Sequence, residues 1–170
     1  MKRPFALPRV LGVLSLLVCC ASFSLQASPT TNLSLVGQGK MSWLFFDLYQ
    51  ARFYSVDGRY NANQYPQALS LRYQRNIDKE DLVEATITEW QRLGIDWKTS
   101  WQQQLAAFWP SVSKGDELAL RVEANGVSRF YFNNSELTEI SDPAFGPAFL
   151  AIWLSPNSRN PGLTRQLKGN

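Results

Sequence analysis

The stretch DELALRVEANGVSRFYFNN, residues 116–134, carries the clearest fold signal in the chain. Two alternating apolar runs flank Asn125-Gly126, a dipeptide that accepts positive φ at both positions and so suits a two-residue type I′ hairpin turn. Such a turn pairs Val122 with Arg129, Arg121 with Phe130 and Leu120 with Tyr131. Leu118, Leu120, Val122 and Tyr131 then share one face, while Phe130 and Phe132 take the other. Both faces come out partly apolar, unless a bulge resets the register. A sheet with helices on one side and an apolar cleft or smaller layer on the other accommodates such a hairpin.

Upstream, LSLVGQGKMSWLFFDLYQARFYS (33–55) is rich in aromatics and other strand-forming residues and reads as two strands. VDGRYNANQYP (56–66) is a turn-rich loop, and ALSLRYQR (68–75) alternates like a third strand. The GQGK at 37–40 does not make a phosphate loop, because a hydroxyl residue and a helix do not follow Lys40. NIDKEDLVEATITEWQRLG (76–94) reads as a helix: Asp78 caps it, acids crowd its first turn and Gly94 ends it. Trp97, Trp101, Leu105 and Phe108 recur at helical spacing before Pro110, which predicts a second helix whose tryptophans pack in the core.

Downstream, DPAFGPAFLAIWL (142–154) starts as a helix and is then uncharged on every face. Phe145, Phe149 and Ile152 share one stripe, with Leu150 and Leu154 opposite and Trp153 between. Either protein covers both faces, or one of them looks into a cavity. SPNSRNPGLTRQLKGN (155–170) reads as a loop and a short terminal turn or helix. Strands, two helices, a hairpin and a helix, without strict alternation, predict an α+β fold with an antiparallel sheet.

The first 27 residues have the three-part plan of a secretory signal peptide. Lys2, Arg3 and Arg9 precede a 16-residue apolar run, and Ala27 is the expected last residue removed. The run is shorter than the roughly 20 residues of a transmembrane helix, so no stable membrane anchor is expected after cleavage. The expectation is therefore a signal peptide over 1–27, a single domain over 28–170 and a periplasmic or secreted location. The leader takes three of the 17 cations and none of the 14 acids, so the mature domain has no net charge. The pI of about 9.0 then says nothing for nucleic-acid binding. Cys19 and Cys20 leave with the leader, and the chain has no histidine. Disulfides, cysteine metal sites, imidazole ligation and His-based catalysis are thereby excluded, and no metal or cofactor is expected.

The ordered set GQGKM…LYQARFY, ALSLRYQRNIDKEDLVEATITEW, KGDEL…GVSRFYFNN and DPAFGPAFLAIWLSP resembles the chalcone isomerase-like family, in particular its secreted bacterial branch. The resemblance covers nearly all of residues 33–169 and implies the chalcone isomerase-like fold: a large antiparallel β-sheet, helices packed on one face, and a ligand cleft between them. Some relatives in plants cyclise chalcones, and others have lost catalysis and bind fatty acids. Carried over position by position, the family's catalytic arginine falls on Leu33 and its strand threonine on Leu44 or Phe45. Its tyrosine falls on Asp78, its helix asparagine on Ala85 and its late hydroxyl residue on Ile152, with Trp153 at the neighbouring cleft position. None of these matches the catalytic residue type. Cyclisation needs positioned donors for the developing enolate, and losing one typically costs about 10²–10³ in rate.

Other polar residues are candidate anchors for an amphipathic ligand. Arg52 and Arg75 stand beside tyrosine-rich strands, where a guanidinium either clamps a carboxylate or stacks outward over a ring. Tyr49 and Tyr54 are candidate cleft residues or packing residues. Asp47 interrupts an apolar strand, as a raised-pKa cleft acid or as a paired edge residue. The leading expectation is a non-catalytic protein that binds an apolar or amphipathic small molecule. Two alternatives stand beside it: an isomerase or intramolecular lyase of unknown substrate, and a structural or partner-binding protein with a filled cleft. The oligomeric state is not legible in the sequence.

Overall fold

Pleat alternation and turn chemistry build one open sheet, β1-β2-β3-β4-β5-β6, with every neighbouring pair antiparallel. The structure is a computed structural model and describes residues 28–43 and 46–170. The signal-peptide reading of 1–27, and positions 44 and 45, lie outside the described residues. The strands are β1 (Ser34–Trp43), β2 (Phe46–Ser55), β3 (Gln67–Tyr73), β4 (Glu117–Val122), β5 (Ser128–Phe132) and β6 (Ser135–Ile140). The helices are α1 (Lys79–Arg92), α2 (Thr99–Phe108), α3 (Phe145–Leu154) and α4 (Pro161–Leu167). Helices α1 and α2 form an excursion between β3 and β4. Its stem is pinned by the reciprocal backbone bonds of Ile77 and Val112, both 2.9 Å.

The hairpin of residues 116–134 forms, but with a corrected register. Glu123 N–H donates to Val127 O and Gly126 N–H to Glu123 O, which closes a three-residue loop with Gly126 at φ +87°. That is a type I turn followed by a glycine bulge, the next most common hairpin connection after the two-residue turns. The extra loop residue shifts the pairing by one: Leu120 faces Phe130, Val122 faces Ser128, and Arg121 faces Arg129. Phe130 therefore joins Leu118, Leu120 and Val122 on the inner face, and Tyr131 moves to the outer face beside Ala119. The two-residue turn occurs one hairpin later. Asn133 and Asn134, at φ 49° and 67°, connect β5 to β6, a strand that the sequence pattern did not predict.

The inner face is continuous and apolar: Phe53, Leu69, Leu71, Leu118, Leu120, Val122 and Phe130 are all buried on it. Gly146 of α3 lies directly over Val122 and Ser128, where a Cβ would come within 2.7 Å of the Val122 methyls. Helix α4 sits on β1, and a Cβ on Gly37 or Gly39 would overlap Gln166. The two glycines of GQGK thus allow a helix to approach a strand, with no phosphate involved.

Helix α3 is buried all round, with Phe145, Phe149, Leu150, Ile152, Trp153 and Leu154 each under 10% exposed. Trp90 of α1 donates its indole N–H to Ala148 O (2.9 Å), and Trp101 of α2 packs edge-on against Phe145 (5.4 Å). Both helices therefore cover α3 from the side away from the sheet. The outer face of the sheet is polar, where Arg129 pairs with Glu136 (2.7 Å) and Glu139 (2.9 Å). The segment before β1 crosses it and is tied down by Arg121 Nη1, which donates to Pro29 O and Thr31 O.

Candidate functional site

At one end of the sheet the helices stand off from the strands and leave a cavity of about 490 Å³. That volume lies within the range of small-molecule sites. Its floor follows from the register: Met41, Tyr49 and Tyr73 are successive cross-strand partners on β1, β2 and β3, and Leu71 pairs with Leu118 in the next row. Phe149, Ile152 and Trp153 of α3 form the roof, Trp109 closes the inner side, and Asn160 and Leu163 come from the start of α4. Asp81, Glu84, Ala85 and Thr88, at one-turn spacing on α1, form an exposed lip.

Polar groups at the cavity are few. Trp153 Nε1 donates to the Tyr49 hydroxyl (2.9 Å), and the Tyr49 and Tyr73 rings meet edge to face with centroids 6.0 Å apart. Burial pushes the Tyr49 hydroxyl up to about 12; donation from Trp153 opposes this and the Glu89 charge adds to it. Burial, then the Tyr49 neighbour, raises Tyr73 as well. Both phenols therefore stay protonated and act as neutral donors. The Thr86 hydroxyl is already committed to Leu82 O (2.9 Å), and Asn160 Oδ1 caps α4 by accepting from Leu163 N–H (3.0 Å). Trp109 Nε1 is buried and has no hydrogen-bond partner among the described residues.

Glu89 stands at the mouth between two arginines. Its Oε1 accepts from Arg159 Nε (2.7 Å) and its Oε2 from Arg92 Nε and Nη2 (3.0 and 2.8 Å). Burial raises the Glu89 carboxyl, but the hydrogen bonds and charges of the two arginines outweigh it and hold it below its ordinary value. Arg92 Nη1 also donates to Asn157 O (2.9 Å), so the trio fastens α1 to the loop before α4. No group of three or more metal-ligating side chains occurs among the described residues.

Of the residues singled out from sequence, Tyr49, Ala85, Ile152 and Trp153 line this cavity together. The others do not. Leu33 precedes β1, eight residues and roughly 26 Å of strand from Met41, at the far end of the sheet. Asp78 occupies the exposed N-cap position of α1 and makes no side-chain cap bond. Arg52 and Tyr54 alternate with the buried Ala51 and Phe53, so strand pleating turns them to the outer face. Arg75 is exposed in the turn after β3.

Asp47 is an exposed edge residue. The Ser42 hydroxyl (2.6 Å), then Lys40 (3.3 Å), lower its carboxyl pKa, opposite in sign to a cleft acid. Sequence reasoning missed Met41, Tyr73, Trp109, Glu89 and Arg159. Tyr73 was within reach, since it continues the inner parity of Leu69 and Leu71 on a strand already recognised.

The sequence model of the chalcone isomerase-like family matches residues 23–169. The chain belongs to the chalcone isomerase-like family. It is 31% identical over 157 residues to an uncharacterized protein of Haemophilus influenzae, covering 91% of this chain and 77% of that one. In structure it is similar to a fatty-acid binding protein of Arabidopsis thaliana, with a TM-score of 0.63 at 10% identity, over 82% of this chain and 88% of the other. At that identity the likeness bears on the fold, and the fold is that of a six-stranded antiparallel sheet with helices on one face.

Proposed function

We propose that the protein is an exported, non-catalytic member of the family that binds an apolar or amphipathic small molecule in the cavity between sheet and helices. The observation that carries this reading is the cavity itself: about 490 Å³, walled mainly by apolar and aromatic side chains. A cleft filled by its own side chains, as the partner-binding alternative requires, is not what the residues build. An isomerase needs polar groups converging on the substrate, and Arg52, Arg75 and Asp47 lie away from the cavity. Ala85 and Ile152, at two carried-over catalytic positions on its wall, offer no side-chain hydrogen bond. The similarity to a fatty-acid binding protein supports an apolar ligand as a class. The three-part N-terminus supports export.

The test is native mass spectrometry of the protein purified from its natural source, together with thermal-shift screening against lipids, aliphatic ketones and flavonoids. A retained small molecule, or a concentration-dependent rise in Tm, is expected. A protein that carries and accepts none of them overturns the reading. N-terminal sequencing of the mature protein tests export, with Ser28 expected as the first residue.

A further inference from the structure

The reading above leaves the polar end of the ligand open, and the charges around the cavity narrow it. Among the described residues, three carboxylates line the cavity (Asp81, Glu84 and Glu89) against one cation, Arg159. That cation is already bonded to Glu89. An anionic headgroup at the mouth meets a rim that stays net negative even with Arg92 counted, and both arginines there are already bonded to Glu89. Deeper in, no cation lines the wall among the described residues, so a carboxylate carried inward loses its hydration without an ion partner.

The interior does hold hydrogen-bond donors. The Tyr73 hydroxyl makes no hydrogen bond among the described residues, and burial keeps it as O–H. Tyr49 accepts from Trp153 and keeps its own proton to donate. The two rings meet edge to face on the cavity floor, with centroids 6.0 Å apart. Trp109 Nε1, although unpaired, is sealed from the cavity and is out of reach of a ligand. A site whose free polar atoms are neutral donors is complementary to a neutral acceptor.

We propose that the cavity selects uncharged ligands with an apolar body and a carbonyl oxygen, such as a ketone or ester, which accepts from the neighbouring hydroxyls of Tyr73 and Tyr49, and that it rejects the matching carboxylate. The proposal rests on ligand binding in this cavity. It differs from the class named for the structurally similar fatty-acid binding protein.

The experiment compares 2-decanone, decanoate and decane with the full folded protein at pH 7.5, by isothermal titration and native mass spectrometry. The ketone is expected to bind at least tenfold more tightly than decanoate. Tyr73→Phe and Tyr49→Phe, each of which deletes one oxygen and keeps the ring, are each expected to weaken ketone binding by about 3- to 10-fold. Decane binding should change by less than about twofold in the Tyr73→Phe variant, because no acceptor is lost. Decanoate binding as tightly as the ketone overturns the proposal, and so does a ketone affinity unmoved by Tyr73→Phe. In both cases cavity binding survives. If none of the three probes binds, the proposal falls and the ligand-binding reading is left to its own screen. Near-ultraviolet circular dichroism identifies a Tyr49→Phe variant that has not folded, and Tyr73→Phe then decides.

Discussion

The two ends of the interface between sheet and helices are built from the same residue types and do opposite things. At one end Phe145 sits at 0% exposure with Trp90, Trp101 and Phe130 around it, ring centroids 5.4–5.8 Å away and mostly edge to face. At the other, Trp153 and Tyr49 hydrogen-bond directly to each other (2.9 Å) on the wall of the cavity. Phe145, Phe149 and Trp153 are successive one-turn steps on α3, stacked or tilted at 5.8 and 5.2 Å, so one helix runs from the filled end into the hollow one. The difference lies in what faces the helix. Under Phe145 the sheet offers Phe130, and Gly146 lets the backbone settle onto Val122. Near Trp153 the sheet offers two tyrosines, and α1 offers Ala85. Aromatic content therefore does not decide between a core and a pocket. The size of the residue that α1 contributes does: Trp90 at the filled end, Ala85 at the hollow one.

Substitution should separate the two ends. Phe145→Ala removes a fully enclosed ring and is expected to cost about 3–5 kcal/mol, read from urea melts. Ile152→Ala, on the cavity wall, opens no new enclosed void and is expected to cost only the transfer free energy of its lost methyl and methylene groups, about 2 kcal/mol. Equal costs would break the distinction between the ends. Ala85→Leu, on the exposed lip of α1, should leave stability within about 0.5 kcal/mol and weaken the binding of any cavity ligand, measured by titration with 2-decanone.

The smallest effect concerns acid. Donation from Lys98 (2.5 Å), against burial, and then from Ala144 N–H and Trp101 Nε1 holds the Asp142 carboxyl below its ordinary value at the filled end. A carboxylate with a depressed folded pKa contributes stability above its unfolded pKa of about 3.9, and loses it as pH falls through the lower folded value. Stability should therefore drop below about pH 4, and Asp142→Asn should flatten that part of the profile in urea melts at stepped pH.

The parts legible in sequence were those where a local pattern had a single physical solution. Asp78 and Gly94 bracket α1, and Gly94 adopts φ +67° as a helix stop should. The alternation of residues 68–73 gave β3. Strand β6, Ser135–Ile140, was not legible because it is an edge strand with a single fully buried residue, Ile140, and so has no apolar period. The hairpin register turned on whether Asn125-Gly126 closes a two-residue or a three-residue loop. Alternation alone does not distinguish these, since both faces of the pair carry apolar residues. The cavity was only half legible. Ile152 and Trp153 came from the family resemblance, whereas Tyr73 and Trp109 are 36 residues apart and line one cavity because the Ile77–Val112 bridge closes the stem of the helical excursion. A free indole N–H has no sequence signature at all.

The seating of α4 on Gly37 and Gly39 gives the domain a temporal order. The first strand of the sheet is completed by the last helix of the chain, across more than 120 residues. A polypeptide emerging residue by residue can assemble the aromatic cluster around Phe145 before residues 161–167 are available, but not the wall that Asn160 and Leu163 supply to the cavity. Until then β1 presents a bare, glycine-lined surface. The cavity therefore cannot be complete before the end of the chain is available, and a chain cut short before residue 161 lacks the wall that Leu163 supplies.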